Sequence, residues 1–243
     1  MNDEYPDADA SLAAGEEPPS ARAPLSRERV VNAAVAFIDE HGLPALTMRR
    51  LGEALGVEAM SLYRHVPGRE ELLDAVVQAI TEDLERDPEV CLEPRDGWQD
   101  FVIRLAHGVR RIALAHPKVF PLVASRPLEA PWLRPPLRSL AWVERFLVAL
   151  TSAGFDDANA VGAYRAFTSF LLGHLLLEVS THGADVGPLD VLEEDNESGG
   201  LAEYSTVRRL RPALSEDHSA LEFEDALEEL TNRLQLMLSA KTP

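Results

Sequence analysis

The chain has 243 residues, enough for a sizeable core in one or two domains, and 46% of them are hydrophobic. A net charge of −18 excludes a protein that coats nucleic acid nonspecifically, and a single cysteine, Cys91, excludes an intramolecular disulfide and a multi-cysteine zinc site. No uninterrupted apolar run reaches the roughly 18 residues of a membrane span. The nearest, Phe167 to Leu177, carries Gly173 and His174, so no membrane partner is expected and a reducing, cytoplasmic compartment fits.

Residues 1–25 hold six acids against one Arg and no apolar block, which predicts an acidic disordered tail and not a signal peptide. Ser26 then caps a helix with a broad stripe of Val30, Val31, Ala34, Val35, Phe37 and Ile38. That helix ends at His41-Gly42, and Pro44 blocks its continuation. Thr47 can cap the next helix, where Met48, Leu51, Ala54 and Leu55 share a face and Gly56 offers a cheap positive φ at the end. A seven-residue helix follows, with Val57 and Leu62 turned to the core and Ala59, Met60, Ser61, Tyr63 and Arg64 turned away. Two short helices joined by so tight a turn read as a helix-turn-helix built for a DNA groove.

Pro67-Gly68 breaks the chain before a fourth helix from Arg69 to about Glu85, with Leu72, Leu73, Val76, Val77 and Ile80 inward. A domain boundary is expected between Arg86 and Asp96. This gives a DNA-binding unit with its connecting helix over 26–86 and a second unit over 87–243. In the second unit helices are expected over Trp98–Ala115, from His116-Pro117 through Ala124, over Leu137–Ser152, and from Asp156 or Asp157 to Thr181. A last one runs from about Leu221 to Ser239. A Pro-rich bend over 126–136 and an acidic mobile loop over 182–200 separate them. No strand alternation is present, and the fold class is all-α.

The stripe ending in His41-Gly42, then Leu46-Thr47-Met48-Arg49-Arg50-Leu51, Leu55-Gly56-Val57, Ser61-Leu62-Tyr63-Arg64-His65-Val66 and Arg69 with Leu72-Leu73-Asp74 resemble the TetR family of bacterial transcriptional regulators. Trp98-Gln99-Asp100-Phe101, Ser125-Arg126-Pro127 and Ala153-Gly154-Phe155 resemble landmarks of the tetracycline-repressor subgroup. The resemblance implies a ligand-responsive repressor: a homodimer formed by the last two long helices, bound to double-stranded operator DNA, with a small-molecule effector pocket in each body. At Glu85 and Leu105 a tetracycline-binding member would carry polar drug-contacting side chains of other types, which argues against a metal-chelated tetracycline.

On the DNA face, Met60 suits a thymine methyl, Arg64 a guanine edge or a phosphate, and Ser61 a phosphate or a base. Tyr63 and His65 resemble the family's backbone-clamping positions, and Thr47 with Arg69 would grip phosphates at helix N-termini. Two readings stand for several of these: Tyr63 packs on the first helix or clamps DNA, and His65 caps its helix or contacts the backbone. Arg49 and Arg50 lie about 100° apart around their helix, so only one of them faces DNA. From Thr47 to Arg69 four arginines meet two glutamates, a local +2 in an acidic chain.

In the body, His107, Phe120, Trp142, Phe146, Phe167 and His174 are pocket candidates, with the bend near Trp132 as a wall. Taken singly, each aromatic is better explained as core, and a lone His on an apolar face more often satisfies a backbone carbonyl. Gly162, Ala163, Ala166, Ser169 and Gly173 form a small-residue seam, read as dimer interface ahead of pocket. No cofactor or metal is expected. Gly-x-Ser-x-Gly, P-loop, Gly-x-Gly-x-x-Gly and His-Glu-x-x-His patterns are missing, and the seven histidines are scattered, which argues against an enzyme. A helical adaptor is the remaining rival, and it leaves the outward Met60, Tyr63 and Arg64 without a purpose.

Overall fold

The computed structural model describes residues 24–90, 97–126, 140–186 and 203–239. Among them every regular element is helical. The helices are α1 (Arg27–His41), α2 (Met48–Leu55), α3 (Ala59–Leu62), α4 (Arg69–Arg86) and α5 (Trp98–Ala115). They continue with α6 (Phe120–Ser125), α7 (Leu140–Ser152), α8 (Asp157–Thr181), α9 (Ser205–Leu214) and α10 (Ser219–Ser239). Residues 1–23 of the expected tail, most of the Pro-rich bend with Trp132, and most of the acidic loop lie outside the described residues.

Local chemistry starts several of these helices. Ser26, Thr47 and Asp156 each sit in extended backbone and accept the N–H three residues on, from Arg29, Arg50 and Asn159. Gly56 ends α2 at φ 67°, in the left-handed region where a side chain is strained.

The apolar stripes pack into two adjoining cores. The N-terminal core gathers α1, α2, α3 and α4 around Ile38, Leu51, Leu62 and Leu72. The body core centres on α8, which packs against α5, α6, α7 and α10. The two meet at α6: Val119 and Leu122 belong to the N-terminal core, whereas Phe120 belongs to the body core.

Three expectations change. The third helix is four residues long, because Val66 precedes Pro67 and that position disfavours helical backbone; Tyr63, His65 and Val66 continue as a hydrogen-bonded turn. Helix α9 is an addition to the expected elements: its apolar residues Val207, Leu210 and Leu214 are exposed, and Pro212 lies inside it. By length and average composition α8 is apolar enough to cross a bilayer, because Gly173, His174 and its few charges are diluted over 25 residues. It is instead the central helix of the body.

Candidate DNA-reading face and ligand cavity

Helices α2 and α3 approach closely because position 52 has no side chain. A Cβ on Gly52 would lie 2.9 Å from the Val57 carbonyl oxygen and 3.2 Å from the Ala59 nitrogen. Ala59 is accordingly half-buried against α2, and Leu62 and Val66 are sealed in the core. The remaining side chains are pushed outward: Met60 is 75% exposed and Tyr63 42% exposed, and Arg64 is exposed too. Arg64 has no ion-pair partner among the described residues. Ser61 and His65 are half-buried, and the His65 N–H donates to the Leu62 carbonyl to close the turn.

The four arginines divide by role. Arg50 donates to the Ala45 carbonyl at 3.0 Å and lies 5.1 Å over the Phe37 ring, so it fastens α2 to α1. Arg49 stands in solvent with a 2.7 Å ion pair to Glu53 one turn on. Arg69 donates through Nε to the Leu46 carbonyl, tying the start of α4 to the residue before Thr47. Thr47 is exposed and its hydroxyl oxygen accepts the Arg50 N–H, which leaves its proton for an outside acceptor.

A cavity of about 90 Å³ opens where the two cores meet. Ile80, Ile112 and Val123 line it from the N-terminal core, and Phe120, Trp142, Phe146 and Phe167 from the body core. Four of the six residues singled out by sequence therefore share one cavity. His107 and His174 stand elsewhere, each against the Phe223 ring of α10. His107 is 3.5 Å from Glu224, and His174 is 3.2 Å from the Ser219 carbonyl oxygen. Glu178, 3% exposed, takes a two-pronged bond from Arg110 at 2.5 and 3.0 Å. Arg110 also lies 5.1 Å over the Phe223 ring and His174 Nε2 is 4.0 Å from Glu178, so the little-hydrated pair is a clasp joining α5, α8 and α10.

The junction between head and body is polar around its apolar centre. The His116 Nδ1 lies 2.6 Å from an Asp39 carboxylate oxygen, and the Lys118 ammonium donates to the Glu40 carbonyl at 2.9 Å. Arg126 bridges to Glu70 and Asp74 of α4. The hydrogen bond to Asp39 raises the His116 pKa above its ordinary value against the opposing effect of burial. Sequence spacing gave no warning of the Gly52 contact or of this latch, since both depend on residues brought close by the fold.

Residues 30–76 match the family described as bacterial regulatory proteins, tetR family. Residues 90–240 match the tetracyclin repressor-like C-terminal domain. The chain belongs to the TetR family. Like other members it is a DNA-binding transcriptional repressor that responds to small molecules and acts as a dimer.

Among relatives of this TetR-family chain, an HTH-type transcriptional regulator of Saccharopolyspora erythraea is 31% identical over 171 residues, covering 70% of this chain and 68% of its own. The class D tetracycline repressor protein of Escherichia coli is 29% identical, with 89% and 92% covered. Among solved structures, ActR of Streptomyces coelicolor in complex with actinorhodin superposes at a TM-score of 0.63 with 28% identity, over 88% of this chain and 98% of that one.

Proposed function

We propose that this TetR-family repressor reads a palindromic operator with the outward face of α3 and releases it when a small molecule fills the cavity between the two cores. Met60, Ser61 and Arg64 meet base edges or phosphates. Tyr63, His65, Thr47 and Arg49 meet the backbone, with Arg69 holding the start of α4 in register. Dimerisation through α8 and α10 presents two such faces to one duplex. Val161 and Leu177 of α8 and Leu221 and Leu236 of α10 are exposed in the single chain and supply apolar surface for that contact. Half-sites about one helical turn apart, roughly 34–36 Å, follow from the two-fold arrangement. The protein acts in the cytoplasm and performs no catalysis.

The observation that carries the ligand response is the shared cavity wall. Ile80 and Val123 belong with the N-terminal core yet line the space that a ligand enters. A molecule that spreads this wall shifts α4 and α6 together, and α4 begins at the reading face. A coupling of about 1–3 kcal/mol, or roughly 5–150-fold in operator affinity, is enough for regulation.

A gel shift on the DNA upstream of the protein's own gene tests the reading. A salt-sensitive complex is expected with the unsubstituted protein and none with Tyr63→Ala at the same concentration. A Tyr63→Ala protein that binds equally well, with unchanged helicity, would remove the proposed reading face.

A further inference from the structure

We infer that the acidic N-terminal segment, residues 1–23, docks on the protein's own DNA-reading face and competes there with operator DNA. Such docking rests on the DNA reading proposed above and gives that face a second occupant from the same chain. The segment carries Asp3, Glu4, Asp7, Asp9, Glu16 and Glu17 against Arg22 alone. Its acids are drawn to cations, and most of the protein offers none in excess, because the rest of the chain is acidic in sum as well.

The reading head is the exception. Arg64 is exposed, without an ion-pair partner among the described residues, and follows the exposed Met60 and Tyr63. The Arg49 side chain is 77% exposed, and its pairing with Glu53 is a solvated one that yields to a competitor at little cost. Arg27, which opens α1 directly after the segment, is exposed too. A surface that is both cationic and apolar suits a segment in which Leu12 sits between two groups of acids. The same surface is offered to phosphates, so segment and DNA exclude each other. Helix α9 is the other basic element, with Arg208, Arg209 and Arg211 and no acid between Ser205 and Leu214. Six acids over 185–197 and Glu203 precede it, and Glu216 and Asp217 follow, so α9 has nearer partners along the chain.

Reach is ample. A compact unit the size of residues 24–86 has a radius of gyration of about 11 Å. Residues 1–23 span up to about 75 Å when extended, so every point on the head is accessible from residue 24. Tethering sets an effective concentration on the order of millimolar, at which a few weak ion pairs suffice. The expected cost to DNA binding is about threefold per head, or roughly tenfold for a dimer that has to clear both faces. Salt screens exposed pairs, so the effect shrinks as ionic strength rises.

The test uses the full chain with a nitroxide on Ala14→Cys in a Cys91→Ser background, read by the labelled methyl groups of its four methionines. Met60 stands on the reading face, and Met237 packs against the body core and serves as reference. Selective broadening of Met60 at low salt is expected. It should vanish when the six acids are replaced by Asn or Gln, and again when the upstream DNA of the gel shift is added. The neutralised full-length protein should also bind that DNA roughly tenfold more tightly, with the gain fading at high salt. No broadening of Met60, broadening that survives neutralisation, or unchanged DNA affinity overturns the docking. A gain in affinity without broadening overturns it too, because long-range repulsion between segment and DNA then accounts for the gain. The two claims fail separately: a normal gel shift without broadening removes the docking alone, whereas charge-dependent broadening without any gel shift removes the regulator reading.

Discussion

The reading head and the body handle charge in opposite ways. In the head, Arg49 and Arg64 stand in solvent beside an apolar Met60 that is itself 75% exposed. In the body, Glu178 is enclosed and bound to Arg110, and the cavity wall between the regions has no described ionisable group. Exposed charge adds little to stability and is available to phosphates, while buried charge serves the fold. The same residue types thus contribute to binding in one region and to architecture in the other.

Substitutions that cross this division give the largest contrast. Glu178→Ala strands the Arg110 guanidinium and should destabilise the body by about 3 kcal/mol, read as a lowered urea midpoint. A smaller change than for an average surface residue would mean that the clasp does not matter. Arg64→Ala is expected to leave the midpoint unchanged yet to weaken operator binding roughly 100-fold, since each face loses an interaction of about 1–3 kcal/mol and the dimer has two. A shift in stability with intact DNA binding would reverse the assignment.

Gly52→Ala acts on both properties at once. The added methyl meets backbone at 2.9 Å, so α3 has to move away from α2, at about 2 kcal/mol. Operator affinity should fall with thermal stability, in contrast to Arg64→Ala. The smallest effect is expected at the junction. The His116 pKa is raised in the folded protein above 6.5 by its hydrogen bond to Asp39, so the stabilisation is fully present below pH 6.5 and is lost as pH rises through the raised value. Asp83 of α4 adds to the effect, and the second Asp39 carboxylate oxygen is buried without a partner, so His116 carries most of the neutralisation. Asp39→Asn should flatten the fall in melting temperature between pH 6 and pH 8 and remove about 1 kcal/mol at the acid end.

Helix starts were legible in the sequence because their causes are local: Ser26, Thr47 and Asp156 each bond a backbone N–H three residues away. The outward set on α3 and the turn after it was legible because burying Leu62 fixes where Met60 and Arg64 point. What depends on a second element was not. Gly52 looks like a helix interior until the Val57 carbonyl is placed against it. Nothing along the chain shows that His107 and His174 pack on Phe223 of α10 while Trp142 lines the cavity. Val207, Leu210 and Leu214 recur at helical spacing in α9, but Pro212 and three arginines mask that signal.

The central claim is that filling the cavity moves the heads. It is tested most directly by the distance between spin labels on Asn32→Cys, at an exposed site of α1, in a Cys91→Ser dimer with and without saturating prodan, a fluorescent naphthyl ketone used as an apolar-site probe. The account predicts a shift of a few ångströms in the inter-head distance together with loss of operator binding. An unchanged distance distribution, with prodan seen bound by its own emission, would contradict it.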